Sequence, residues 1–404
     1  EKMWTTGAFH DCSGNIIHML LAKLPGSEKI SLFLVPNVLQ DGTTKNKVEL
    51  ISLNRKMGHK AVSNCAWGLD GAVGYLVGEP DRGLMCMLGM MNAMRIEVGI
   101  GAAALGKRGL QESLLYAQER EQGGAQIVDY PDVKRMLLAQ KAYAEGSFSL
   151  CIWAAGQHDL ALAGDEEAKS LLGVTTEVVK SWPSEWCLVG NTHAMQVLGG
   201  AGYVQDYPLE QLYRDQRLNM IHEGTAGIHA LTLLGRKVQG GRAEVLFRTM
   251  RRDAKFAEQQ ATGGVGWAAG DEDVLTECAT KLREAVNRLE HVTNVLTSGD
   301  TSRDQALTNA QSYMNLFGHT VISWQWLRLA TAAARLLDRE YKGDDEASSS
   351  ETGASPTSAA AQFYQGEIAT CAFFYRHELP KTEAAAALLL SLDETVAKME
   401  PGWF

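Results

Sequence analysis

No CxxC pair occurs in the 404 residues, although seven cysteines do: Cys12, Cys65, Cys86, Cys151, Cys187, Cys278 and Cys371. Zinc centres draw on closely spaced Cys or His ligands, and no such spacing is present, so no metal site is expected. An odd, dispersed set of cysteines in a chain this long reads as reduced thiols in a reducing compartment, not as a disulfide framework. No run of about 18 or more apolar residues exists, which excludes a predicted membrane-spanning helix. Cations are in deficit: 38 Lys and Arg stand against 48 Asp and Glu, a formal net charge of −10. Phosphate-backbone binding rests on clustered cations, so nucleic acid is not expected as the main ligand. No signal or transit peptide can be read. The chain opens on Glu1, and Glu1–Gly7 reads as the inside of a strand and turn, so sequence upstream is expected to be missing or removed.

What is present is the composition of a globular protein, 45% apolar and 21% charged, long enough for two or three domains and a substantial core. Residues 1–80 read as β-rich. Ile16–Lys23 and Lys29–Val35 are short apolar runs about a Pro25-Gly26 turn, and Val48–Leu53, Asn64–Leu69 and Gly74–Val77 follow as further strands. After Pro80 the periodicity becomes helical. Arg82–Gln122 reads as one long helix ended by Gly123-Gly124, and its glycines at 99, 101, 106 and 109 suggest close packing on a neighbour. Asp132–Ala163 and Glu166–Leu198 read as two more long helices, with Pro183 a candidate kink in the second. The Gly199–Gly202 turn, a short helix near Pro208–Tyr213 and a helix from about Thr225 to Val238 complete a bundle. Beyond Gln239-Gly240-Gly241 the candidate helices are Ala243–Gln260, Glu272–Leu296, Arg303–Tyr341, Ser358–Phe374 and Lys381–Met399. The acidic, Ser-rich stretch Gly343–Pro356 reads as a flexible solvated loop. No solenoid-period repeat is present.

Chemistry concentrates in Gln196–Lys237, QVLGGAGYVQDYPLEQLYRDQRLNMIHEGTAGIHALTLLGRK. Removing a proton next to a thioester carbonyl requires a carboxylate in a dry pocket, where desolvation raises its pKa toward neutrality. Glu223 lies where apolar Leu218–Ile221 gives way to a new helix. Gly224 after it permits close approach of other groups, and Thr225 places a small hydroxyl at a helix start. Read without its surroundings, Glu223 is first of all a helix N-terminal carboxylate favoured by the macrodipole, and the motif around it turns the reading to a base. Arg95, in an otherwise apolar helical stretch, needs an anionic partner or hydrogen bonds. Arg214-Asp215 reads as an ion pair or cap. The Met85–Met94 cluster has core spacing.

The Q-x-x-G-G-x-G-Y turn, the R-D pair and the H-E-G-T motif recur in this order in the acyl-CoA dehydrogenase family, which this segment resembles. LFLVPN (Leu32–Asn37) and RKMGHKAVSNCAWGLDGAVGYLVGEPDRGLMCML (Arg55–Leu88) resemble that family's middle β-domain running into its first C-terminal helix. EKMWTTG resembles its flavin-facing strand. The tail, ending FYRHELPKTEAAAALLLSLDETVAKMEPGWF, is similar to the extra helical domain of the longer members, among them the 3-methylthiopropanoyl-CoA dehydrogenase-like ones.

The resemblance implies an α+β, mostly α fold in three parts. Residues 1–80 are a partial middle β-domain, 81–240 a four-helix bundle with the catalytic Glu, and 241–404 an extra helical domain with a flexible loop at 343–356. It implies FAD as cofactor and α,β-dehydrogenation of an acyl-CoA, with Glu223 as base and hydride passing to flavin N5. Electrons would go to an electron-transfer flavoprotein. Trp4 and Thr6 match positions on the isoalloxazine ring, although Trp4 also reads as a core aromatic. Gln196, Gly199 and Gly200 match a turn approaching the ADP part of flavin from a neighbouring subunit, where backbone N–H groups suit a pyrophosphate; the same glycines also suit a plain helix-ending turn. Arg120 matches an arginine on flavin phosphate, but the family's R-x-x-F-G is here Arg120-Glu-Gln-Gly-Gly, and a surface arginine fits equally well. Thr225 is assigned to the cofactor, and Arg95, His222 and Gly224 to the substrate; His222 also reads as a packing histidine. A homodimer or homotetramer is expected, in a bacterial cytoplasm or mitochondrial matrix. Two other classes stay open: a non-catalytic or DNA-associated flavoprotein relative, and a structural, partner-dependent subunit.

Overall fold

The computed structural model describes residues 2–261, 274–347 and 358–404. These divide into two compact units, residues 1–94 and 95–404. In the first, two three-stranded antiparallel sheets form. One has the order β1 (Lys2–Thr6), β5 (Asn64–Gly68), β4 (Glu49–Leu53) and the other β2 (Ile17–Lys23), β3 (Ile30–Pro36), β6 (Tyr75–Val77). The β2–β3 hairpin pairs Leu20 with Phe33. It closes through a turn in which Ser27 N–H donates to Leu24 O at 3.0 Å and Gly26 takes φ +80°. Pro25 pre-sets the first turn position and Gly26 supplies the left-handed second, as a type II turn requires. Trp67 and Cys65 of β5 are buried with Ala8 in a small core, and the His18 ring lies 4.5 Å from the Trp67 ring.

Helix α1, Gly83–Glu119, begins in the first unit and enters the second at Arg95. A two-residue hairpin about Gly123-Gly124 (β7 Glu121–Gln122, β8 Ala125–Gln126) leads to α2, Pro131–Leu162, and α3, Glu166–Leu198. The start of α3 is set by Asp165, whose carboxylate accepts the Ala168 N–H at 2.9 Å. The helix runs on through Pro183. Proline has no N–H to offer the carbonyl four residues back, Val179 O. The Cys151 thiol donates to that oxygen at 4.0 Å, and Gly99 of α1 lies so close that a Cβ there would sit 2.3 Å from it. Gly106 and Gly109 face Cys187 and Asn191 of α3 in the same way, whereas Gly101 faces open space. The α1 glycine stripe is therefore Gly99, Gly106 and Gly109.

Short helices α4 (Leu209–Leu218) and α5 (Ala226–Thr232) follow, the latter continuing as a π-turn over Leu233–Lys237. Arg214 pairs with Glu210 one turn back, Nε to Oε2 at 2.6 Å, and the charge of Asp215 also faces it. Then come α6 (Glu244–Gln260), α7 (Val274–Thr297), α8 (Arg303–Thr308), α9 (Ala310–Ala347), α10 (Ala359–Phe373) and α11 (Lys381–Leu390). The helix expected over Arg303–Tyr341 is interrupted at Asn309, and the one expected over Lys381–Met399 stops at Leu390. Residues 343–347 of the expected loop continue α9, and 348–356 lie outside the described residues. The helices after Gly241 share one continuous core with α2 and α3. Trp326 Nε1 donates to Ala142 O at 3.0 Å, Tyr143 Oη to Glu378 at 2.8 Å, and the Trp153 and Trp324 rings meet at 5.0 Å. The architecture is mostly helical with a small β part at the N-terminal end, as expected.

Candidate active site

Between α4 and α5 the chain makes a turn that holds two successive residues at positive φ, Glu223 at +52° and Gly224 at +95°. Glycine adopts this region freely; for Glu223 it costs about 1 kcal/mol. A side chain at Gly224 is excluded outright, because a Cβ there would lie 2.7 Å from His229 Nε2. Thr225 caps α5, its Oγ1 accepting the Ile228 N–H at 3.4 Å. The Glu223 side chain is exposed in this structure, and His222 Nε2 lies 3.2 Å from Asn219 Oδ1.

Both carbonyls of the turn are held from beneath. Lys180 Nζ of α3 donates to Gly224 O at 2.7 Å, and His229 Nε2 lies 3.0 Å from Glu223 O. The other His229 nitrogen, Nδ1, bonds Glu177 Oε2 of α3. Arg95 Nη1 of α1 completes the row, donating to Glu177 Oε1 at 2.8 Å. Glu177, Lys180 and His229 are all buried. A carbonyl can only accept, so His229 Nε2 carries a hydrogen. Desolvation pushes the Glu177 carboxyl up, but the His229 hydrogen bond and the charges of Arg95, His229 and Lys237 outweigh it and leave its pKa below the usual value. Burial lowers Lys180 to about 8, against the opposing pull of Glu223.

The second cluster is a groove of about 730 Å³ lined by Arg120, Gln196, Gly199 and Gly200 together with Tyr116, Ile127, Tyr130 and Met136. Four residues expected near the ADP part of a flavin thus converge. Gly199 ends α3 at φ +58°, and no atom lies within 4 Å of where a Gly200 Cβ would stand. Arg120 is exposed and makes no ion pair among the described residues. Tyr130 Oη donates to Gln122 O at 2.7 Å and fixes the Gly123 turn beside it. Arg95, His222, Glu223, Gly224 and Thr225 do not line this groove. On the first unit, Trp4 is 77% exposed, so a place in the core does not account for it. Thr6 Oγ1 accepts from Asn64 Nδ2 at 3.0 Å. Between them Thr5 turns inward, its Oγ1 accepting Trp67 Nε1 at 2.8 Å, while Trp4 and Thr6 are both exposed.

Residues 81–238 match the model of the acyl-CoA dehydrogenase C-terminal domain, and residues 247–400 match that described as "Acetyl-CoA dehydrogenase C-terminal like". The chain belongs to the acyl-CoA dehydrogenase family. It is 34% identical to the 3-methylmercaptopropionyl-CoA dehydrogenase of Ruegeria pomeroyi, over 95% of this chain and 64% of that protein. To the broad-specificity linear acyl-CoA dehydrogenase FadE5 of Mycobacterium tuberculosis it is 29% identical, over 100% of this chain and 68% of the relative. It therefore spans about two thirds of the length of these relatives. Among solved structures, the acyl-CoA dehydrogenase of Bacillus anthracis complexed with FAD shares the fold at TM-score 0.70 and 19% identity, covering 99% of this chain and 66% of that one. No helix among the described residues is long and apolar enough to cross a membrane, and among them no group of three or more His, Cys, Asp or Glu could hold a metal.

Sequence reading passed over Glu177, Lys180 and His229. The signal that singled out Arg95, a charge inside an apolar helical stretch, is present at all three. Glu177 and Lys180 are the two charges of Leu171–Pro183, one turn apart on α3.

Proposed function

We propose that the chain carries the base and part of the cofactor-binding surface of a FAD-dependent acyl-CoA dehydrogenase, with Glu223 removing the α-proton of the thioester. The observation that carries this reading is the Glu223–Gly224 turn. A carboxylate stands at an exposed turn in a left-handed conformation, and the buried side chains of Lys180 and His229 bond both of the turn's carbonyls. Such a conformation persists only where its surroundings over-determine it, as they do at functional sites. Gly224 lets the His229 ring pack directly against the turn, and Thr225 fixes where α5 begins.

The groove fits the nucleotide part of the cofactor. Arg120 makes no ion pair among the described residues and lines the groove, and the turn at Gly199 and Gly200 brings backbone close to a ligand without intervening Cβ atoms. Arg120 would hold phosphate oxygens, Gln196 would bond polar atoms of the nucleotide, and Trp4 and Thr6 are assigned to the isoalloxazine ring. FAD, when bound, supplies the acceptor for the hydride that leaves the β-carbon. The protein's own contribution is to hold the carboxylate and orient the thioester. His222 and Gly224 are assigned to the acyl group, with an electron-transfer flavoprotein as the electron acceptor and a homodimer or homotetramer as the assembly.

The test is the absorbance spectrum of the purified protein supplied with FAD, before and after anaerobic addition of a panel of acyl-CoA thioesters. Bleaching of the oxidised band by one thioester is the expected result and names the acyl class. A protein that takes up no FAD overturns the cofactor assignment. One that binds FAD and is bleached by no thioester overturns the dehydrogenase reading.

A further inference from the structure

We infer that Lys180 and the row Arg95–Glu177–His229 are positioning residues that lock the Glu223–Gly224 turn and so aim the carboxylate. The inference rests on Glu223 being the base. It starts from the exclusivity of the contacts. Lys180 bonds Gly224 O and His229 bonds Glu223 O, so each of the two left-handed residues has its carbonyl held by its own buried side chain. The two side chains reach the turn from different elements, Lys180 from α3 and His229 from α5, and Glu177 bonds His229 back to α3. Arg95 then anchors Glu177 to α1. The turn is thereby fixed against three helices.

Stability alone gives no reason for this arrangement. Buried charges are held at a desolvation penalty, and well-packed apolar residues of similar volume generally serve a core at least as well. Lys180 shows that penalty directly, since burial holds its pKa well below that of a free lysine. The charged groups that face it are Glu223, Arg95 and Glu177; those that face Glu177 are His229, Arg95 and Lys237. What the arrangement secures is the direction of two carbonyls and hence of the side chain between them.

The experiment is hydrogen–deuterium exchange of the intact chain, read by mass spectrometry over residues 219–228, with α7 as the reference. In Lys180→Met and His229→Gln the turn is expected to exchange at least tenfold faster while α7 stays as in the wild type. Lys180→Arg, which keeps a donor and a charge, is expected to restore most of the protection. Unchanged exchange of the turn in both variants overturns the inference. If Lys180→Met accelerates α7 equally, Glu177→Gln decides: acceleration confined to the turn sustains the inference, and uniform acceleration ends it. Glu223→Gln separates the two readings, because it should leave exchange as in the wild type and lower turnover by about 10²–10⁴-fold. Turnover surviving in Glu223→Gln would sink the base assignment while leaving the exchange result to stand for the turn alone.

Discussion

Two alanine substitutions two residues apart on α1 should move stability in opposite directions. At Gly99 a Cβ would stand 2.3 Å from Val179 O and 2.9 Å from Cys151 Sγ. A comfortable carbon–oxygen contact is about 3.3 Å or more, so α1 and α3 must part by about 1 Å. Overpacking of this kind costs about 1–3 kcal/mol, against which helical alanine returns about 0.5–1 kcal/mol over glycine. Gly99→Ala is therefore expected to lose about 1–2 kcal/mol. At Gly101 nothing lies within 4 Å of the added Cβ, and Gly101→Ala keeps the whole gain of about 0.5–1 kcal/mol. With roughly 2–4 °C per kcal/mol in a unit of this size, the two variants should melt about 5 °C apart with the wild type between them. Thermal unfolding followed by circular dichroism at one scan rate reads this directly. The loss at Gly99 should also reach the active-site turn, because Arg95 lies one helical turn before Gly99 and Lys180 directly follows Val179. A Gly99→Ala protein that melts at or above the wild type, or a Gly101→Ala protein that is equally damaged, would refute the packing argument.

Other consequences follow from the site and its surroundings. Glu223→Gln should lower turnover by about 10²–10⁴-fold, the usual contribution of a positioned base, without moving the melting temperature; steady-state kinetics with the bleaching thioester checks it. Arg120→Glu should weaken ADP binding in the groove by about tenfold or more, since a charge-assisted hydrogen bond is worth about 1.5–3 kcal/mol, and calorimetric titration with ADP measures it. Lys180 is held by burial at about 8 against 10.5 when free. Between those values the unfolded chain binds more protons than the folded one, so stability should rise with pH across this window; melts at pH 7–10.5 should show the rise, and Lys180→Met should flatten it. Glu277 is drawn to about 2 from 4.5, first by its hydrogen bond from Arg376 and further by Lys281. Its contribution is present above pH 4.5 and lost as the pH falls toward 2. Glu277→Gln should therefore narrow the difference between melting points at pH 5 and pH 2.5.

Where local rules suffice, the elements lie close to where the sequence puts them. Helix α3 begins at Glu166 because Asp165 caps it and ends at Leu198 because Gly199 can turn left-handed, and both signals are single residues in the chain. The break at Asn309 is of another kind: the helical periodicity of Arg303–Tyr341 carries straight across it. The side chain of Asn309 donates to Asp393 O at 2.9 Å, a partner 84 positions away. Of the α1 glycines at 99, 101, 106 and 109, spacing alone could not separate the three that touch α3 from Gly101, which faces open space, since that depends on which face of α1 meets the neighbour.

The same division runs through the site. By itself the sequence pointed to the family and singled out Glu223 as the candidate base and Arg120, Gln196, Gly199 and Gly200 as cofactor candidates, because these lie in short motifs whose residue types follow from local backbone and chemistry. It also determined that Arg95 needed an anionic partner. Which anion answers that need was decided only by the tertiary structure, where Glu177 lies 82 positions along the chain from Arg95 and 52 from His229. The grip of Lys180 on the turn spans 44 positions. Such pairings are set by how three helices pack, and a buried charge takes whichever partner that packing brings within reach; nothing in the order of residues along the chain records it.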